Sequence, residues 1–149
     1  MKYRETLLET KEILTDIQNE ITNQNEFSAL LLAHGYIEAY LREWFFISGN
    51  ISKETFNKQT IKDIERFSFT YVLYTHLVLG NITYSLFKQI SSFNQKRNVI
   101  AHEIIKINRT HTKTKKSLHS SIQISSSIIK QLAKKYQQSL NKYQKSIRA

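Results

Sequence analysis

The sequence predicts an all-α protein: an antiparallel helical bundle of four main helices plus one short helix, in a single domain over residues 1–149. Three observations predict it. The chain has no proline and only three glycines, too few for the closely spaced turns of a sandwich or barrel or for a glycine-rich nucleotide loop. Hydrophobic residues make up 40%, enough for a packed core and against wholesale disorder. Apolar residues recur with helical rather than alternating period along most of the chain.

Residues 4–22 place Leu7, Ile13, Leu14, Ile17 and Ile21 on one face among charges, an amphipathic helix. Asn23 or Asn25 ends it and caps the next. Residues 26–47 are the most apolar segment and predict the central helix, closed by Gly49-Asn50 in the manner of a C-cap. Ser52 opens a short polar helix to about Glu65. Residues 67–79 are aromatic-rich and end at Gly80-Asn81; they are helical too, because a lone strand would have no partner.

Over residues 82–107, Ile82, Leu86, Ile90, Phe93, Arg97, Ile100 and Ile104 follow one another at steps of three and four, one continuous stripe. Residues 108–117 have no period and predict an exposed polar loop. Residues 118–147 carry Leu118, Ile122, Ile128, Leu132, Tyr136, Leu140 and Tyr143, a long amphipathic helix. Short connections make neighbouring helices antiparallel.

Cysteine is absent, which excludes disulfide scaffolds, thiolate zinc sites and thiol nucleophiles. The charged start is not a signal peptide, and the apolar runs are interrupted by His34, Glu38, Arg42, Glu43 and His76, so no membrane span is expected and the expected location is cytoplasmic. The net charge is +10, carried almost wholly by one end: residues 1–96 sum to −1 and residues 97–149 to +11. Such an asymmetry suits either a polyanionic partner or a solvated lysine-rich helix.

The anomaly is Arg97, a guanidinium on an apolar stripe. A buried arginine is costly unless an acid answers it or the face opens there. Glu38, on the apolar helix, is the candidate acid, and a structural Arg97–Glu38 pair is one reading. The other places Arg97 at a site with His102, five residues on. Residues five apart on a regular helix point roughly 140° away from each other. The two would converge only through a π-bulge or across a two-fold axis between subunits. Asn98 shares a face with His102 and suits fixing the imidazole.

The segment Arg97-Asn98-Val99-Ile100-Ala101-His102 resembles the signature of HEPN domains: an arginine, a polar residue that is often asparagine, further residues, then histidine. The order of elements, an apolar helix with an internal acid before the motif and a long helix after it, is similar too. The resemblance implies a HEPN-like helical domain that dimerises with its motifs face to face. It implies a metal-independent endoribonuclease without cofactor or metal, of the kind found in toxin–antitoxin and phage-defence systems, with Arg97 and His102 as the catalytic pair and Asn98 beside them. Some toxin relatives carry a modified tyrosine two residues after the histidine; here that place is Ile104. Other HEPN proteins are non-catalytic companions of nucleotidyltransferases, so an antitoxin or nucleotidyltransferase is an expected partner, and a non-catalytic binding module or RNA-binding adaptor is the alternative reading.

The chemistry is coherent for RNA, which carries its own nucleophile in the 2′-OH. Histidine can take and give protons near neutral pH, and arginine binds phosphate oxygens in bidentate fashion. The expected cleavage end is a 2′,3′-cyclic phosphate. Arg109, Lys113, Lys115 and Lys116 are the expected contacts to the RNA backbone, which would be held without reading its sequence. His34 and Glu38 share a face and suit the core or a supporting place behind the site; two ligands do not make a zinc site. His76 reads as core, and Tyr136 and Tyr143 as core rather than a stacking platform.

Overall fold

The computed structural model describes residues 10–48, 58–107 and 112–149, with the backbone alone for 104–107, 112–114 and 147. These residues form six helices and no strand: α1 Thr10–Thr22, α2 Glu26–Ser48, α3 Lys58–Glu65, α4 Phe69–Val78, α5 Tyr84–Ile107 and α6 Thr112–Arg148. Six helical segments were expected, summed up as four main helices plus one short one; α3 and α4, of 8 and 10 residues, are both short. The expected helical residues 4–9, the cap at Gly49-Asn50 and the start at Ser52 lie outside the described residues.

The core is built around α2. Ala29, Leu30, Ala33, Ile37 and Leu41 are fully buried, and Trp44 nearly so. α2 packs chiefly on α6, which also carries α5, while α1 lies on α2. From α6 the core receives Leu118, Ile122, Ile128, Ile129 and Leu132; from α5, Leu86, Ile90, Phe93 and Ile100; from α1, Ile13 and Ile17. Tyr143 is buried, and Tyr136 meets Tyr40 edge-on at 5.6 Å, so both belong to the packing.

Two helix ends close by the same device. After α1, the N–H of Asn25 reaches the carbonyl of Glu20 and that of Gln24 reaches Ile21. After α4, the N–H of Asn81 reaches His76 and that of Gly80 reaches Leu77. Both are Schellman motifs, which need a left-handed residue after the helix. Gly80 supplies it at φ +72 and Gln24 at φ +60. The asparagines expected to end α1 thus flank the left-handed residue. α4 starts two residues later than the pattern suggested, because Ser68 caps it: its Oγ accepts the N–H of Tyr71 (3.1 Å). Thr83 does the same for α5 through Leu86 (3.2 Å), so Ile82 precedes the helix.

The exposed loop expected over 108–117 is corrected. α6 begins at Thr112, so 112–117 are helical. No glycine or proline stands there to stop the helix propagating back from Leu118, and lysine is a good helix former. Residues 108–111 lie outside the described residues. Among the described residues, no helix is long and apolar enough to cross a membrane.

Candidate functional site

α5 delivers the motif. It is regular α-helix through residues 97–103, without a π-bulge, so Arg97 and His102 leave it roughly 140° apart. Between them, on the same arc, lie Ala101, Asn94 and Asn98, at roughly 40°, 60° and 100° from Arg97. The stripe that buries Ile90, Phe93 and Ile100 turns polar along this arc: Arg97 is half-buried, and Asn98 and His102 are exposed. Both members of the pair thus reach solvent on one side of one helix without meeting inside one chain.

Glu38 does not answer Arg97. Its Oε1 accepts Nε (2.9 Å) and Nη2 (2.6 Å) of Arg42, one turn further along α2, and Arg42 Nη2 also donates to the carbonyl of Phe67 (2.9 Å). The expected Arg97–Glu38 pair is therefore replaced by a pair within α2. The i, i+4 spacing with the acid N-terminal to the base is the favoured orientation on a helix. Arg97 is steadied by its neighbour instead: Nη1 donates to Asn98 Oδ1 (2.8 Å). That contact gives Asn98 a different role from the one expected, since its oxygen holds the guanidinium rather than the imidazole of His102. The Nε of Arg97 is buried and has no hydrogen-bond partner among the described residues.

Behind Arg97 runs a polar chain across two helices. His34 is buried between the rings of Phe69 (5.0 Å) and Phe93 (6.3 Å). Its Nε2–H donates to Asn94 Oδ1 (2.9 Å), and its Nδ1 lies 3.9 Å from Glu38 Oε2. Burial lowers its pKa from the ordinary 6.5; the Asn94 bond opposes the shift, the positive charge of Arg97 adds to it and Glu38 opposes it. The positive charge of Arg97 is thus felt at His34, and the chain Asn94–His34–Glu38–Arg42–Phe67 ties α5 to α2 and to the turn before α4. Asn94 and Arg42 are the members that sequence reasoning did not select. Their signal was available in their spacing, three before Arg97 and four after Glu38.

His76 is a fully buried core residue. Its Nε2–H donates to the carbonyl of Leu41 (2.6 Å), Asn81 Nδ2 donates to its Nδ1 (2.9 Å), and burial lowers its pKa from 6.5. Of the expected backbone contacts, Lys115 and Lys116 are exposed on α6. Lys113 lies on the first turn of α6, its side chain outside the description, and Arg109 lies outside the described residues. Among the described residues no three histidine, aspartate or glutamate side chains gather as a metal site.

Set beside family models, curated proteins and solved structures, the chain matches none of them.

Proposed function

We propose that the protein is a HEPN-type, metal-independent endoribonuclease that works as a homodimer in the cytoplasm, in a toxin–antitoxin or phage-defence setting. In this reading α1, α2, α5 and α6 are the main helices of an antiparallel bundle, and α5 carries the site. The observation that carries the reading is that Arg97 is a half-buried guanidinium not claimed by Glu38, fixed by Asn98, on the same helix as an exposed His102. A guanidinium held by an exposed amide keeps Nη2 free for a phosphate oxygen.

The reaction needs the arrangement to be doubled. One His102 takes the proton of the ribose 2′-OH, whose oxygen attacks the adjacent phosphorus. The P–O5′ bond breaks, and the second His102 returns a proton to the leaving oxygen. The two Arg97 side chains hold the charge that builds on the non-bridging oxygens. The products are a 2′,3′-cyclic phosphate and a 5′-hydroxyl. The basic face of α6, with Lys115 and Lys116, holds the strand by its phosphates.

The test is incubation of a 5′-labelled single-stranded RNA with the protein in EDTA. Cleavage to cyclic-phosphate ends is expected, lost in His102→Ala and in Arg97→Ala at unchanged helicity. Equal activity in His102→Ala removes that residue from the mechanism.

One observation favours a second reading. In one chain Arg97 and His102 diverge, so a chain that stays monomeric in solution lacks a composite site and is better read as a non-catalytic binding module, a companion of a nucleotidyltransferase or an RNA-binding adaptor. Light scattering of the purified protein separates the two.

A further inference from the structure

A cavity of about 500 Å³ opens between α5 and α6, on the side of α5 away from the arc that holds Arg97, Asn98 and His102. This volume lies within the range of small-ligand sites. Its walls combine three chemistries. Lys88 and Lys96 supply positive charge, Ser92 and Ser121 supply hydroxyls, and Phe93 and Ile124 supply an apolar surface. Among the described residues, no acidic side chain lines it.

Ser121 makes the cavity more than a gap between small residues. The residue is completely buried, and its Oγ has no hydrogen-bond partner among the described residues. Its neighbour one turn on, Ser125, is equally buried but donates to the carbonyl of Ile122 (2.6 Å). A buried hydroxyl without a partner is rare in a folded protein and points to a group absent from the chain itself. At the other end Lys88 is held with its ammonium 5.0 Å above the ring of Tyr84, which is itself exposed.

We propose that this cavity binds a nucleotide unit. Its phosphate would lie between Lys88 and Lys96, its sugar hydroxyls would meet Ser92 and Ser121, and its base would lie against Phe93 and Ile124. Two sources carry that chemistry, a free mononucleotide and one nucleotide of a single strand. The site lies on a different face of α5 from the cleavage motif and does not depend on cleavage.

Titration of the full chain with AMP, and separately with a 2′-O-methyl RNA pentamer that cannot be cleaved, tests the assignment and separates the sources. Binding of AMP assigns the free nucleotide; binding of the pentamer alone assigns a strand. In either case the Lys88→Ala/Lys96→Ala double variant should weaken binding about tenfold or more, and Ser121→Ala several-fold, with helicity retained. The salt slope of pentamer binding should fall by roughly 0.7 for each lysine removed. Ser92→Trp, on an exposed position of α5, should close the cavity and abolish binding without touching the buried serine. No binding of either probe, or binding indifferent to all three variants, overturns the proposal. AMP binding is scored apart from cleavage of the labelled RNA, so binding without cleavage sinks only the nuclease reading, and cleavage without binding sinks only this site.

Discussion

Glu38 and Arg42 are joined through a single carboxylate oxygen, with Arg42 bridging onward to the carbonyl of Phe67. That relationship decides what Arg97 is not. An arginine that balanced Glu38 would be a structural element, and its removal would leave an uncompensated charge. With Glu38 already engaged, Arg97→Ala should cost less than about 1 kcal/mol of unfolding free energy, because it breaks no pair with Glu38 and removes a buried, unpartnered Nε. Arg42→Ala should cost more, about 1–2 kcal/mol, since it frees both Glu38 and the Phe67 carbonyl; the pair is about a third exposed, which keeps the figure modest. Urea denaturation of the two variants gives the comparison, and the reverse order would return Arg97 to a structural role.

The two Schellman motifs predict opposite effects from exchanging their left-handed residues. Gln24 sits at φ +60 and Gly80 at φ +72. A side chain in that region costs roughly 1 kcal/mol that glycine does not. Gln24→Gly should therefore stabilise by up to about 1 kcal/mol, and Gly80→Ala should destabilise by a similar amount. A Cβ built at Gly80 meets nothing within 4 Å, so the loss would come from the backbone alone. Thermal unfolding of the two single variants should move in opposite directions. A fall in both would show that the Gln24 side chain does more than fill the position.

The helices were legible because their cause is local. The spacing of Leu30, Ile37, Leu41 and Trp44 names α2 and its buried side, and the absence of proline keeps α5 and α6 long. The start of α6 was not legible. Residues 112–117 have no apolar stripe, and their helicity follows from propagation out of a packed segment rather than from any face of their own. The motif on α5 could be read, but which acid would face it could not. Glu38 has Arg42 within one helix and Arg97 only through the packing of two helices, and the local pair forms. The spacing of Asn94 places it beside Arg97 on α5, but its bond to His34 could not be read, because that partner is 60 residues away in sequence.

Acid should weaken the fold through the two buried histidines. His34 and His76 both have pKa values below the unfolded 6.5, chiefly because burial disfavours their charged forms. Below pH 6.5 the unfolded chain takes up protons that the folded chain resists, so the stability they contribute is complete above that pH and is lost as the pH falls beneath it. The loss is at most about 1.4 kcal/mol per pH unit for each histidine. His76→Gln keeps a donor toward the Leu41 carbonyl and removes the titration. It should be less stable than wild type at about pH 7.5 but show a smaller drop on going to about pH 5. An unchanged drop in urea midpoint between those pH values would place the acid sensitivity elsewhere.

A regular α5 turns Arg97 and His102 away from each other, so the proposed cleavage at this pair calls for two chains, which mixing of variants tests. Arg97→Ala and His102→Ala are each expected to be inactive. The reaction as proposed uses both histidines and both arginines at one site, so a mixed dimer, with one of each, should be inactive, and co-refolding the two variants at equal amounts should return no cleavage. Return of about one quarter of wild-type cleavage would show instead that a dimer holds two sites, each with its arginine from one subunit and its histidine from the other, because half of the dimers are then mixed and half of their sites complete. Full activity in either variant alone would remove that residue from the chemistry.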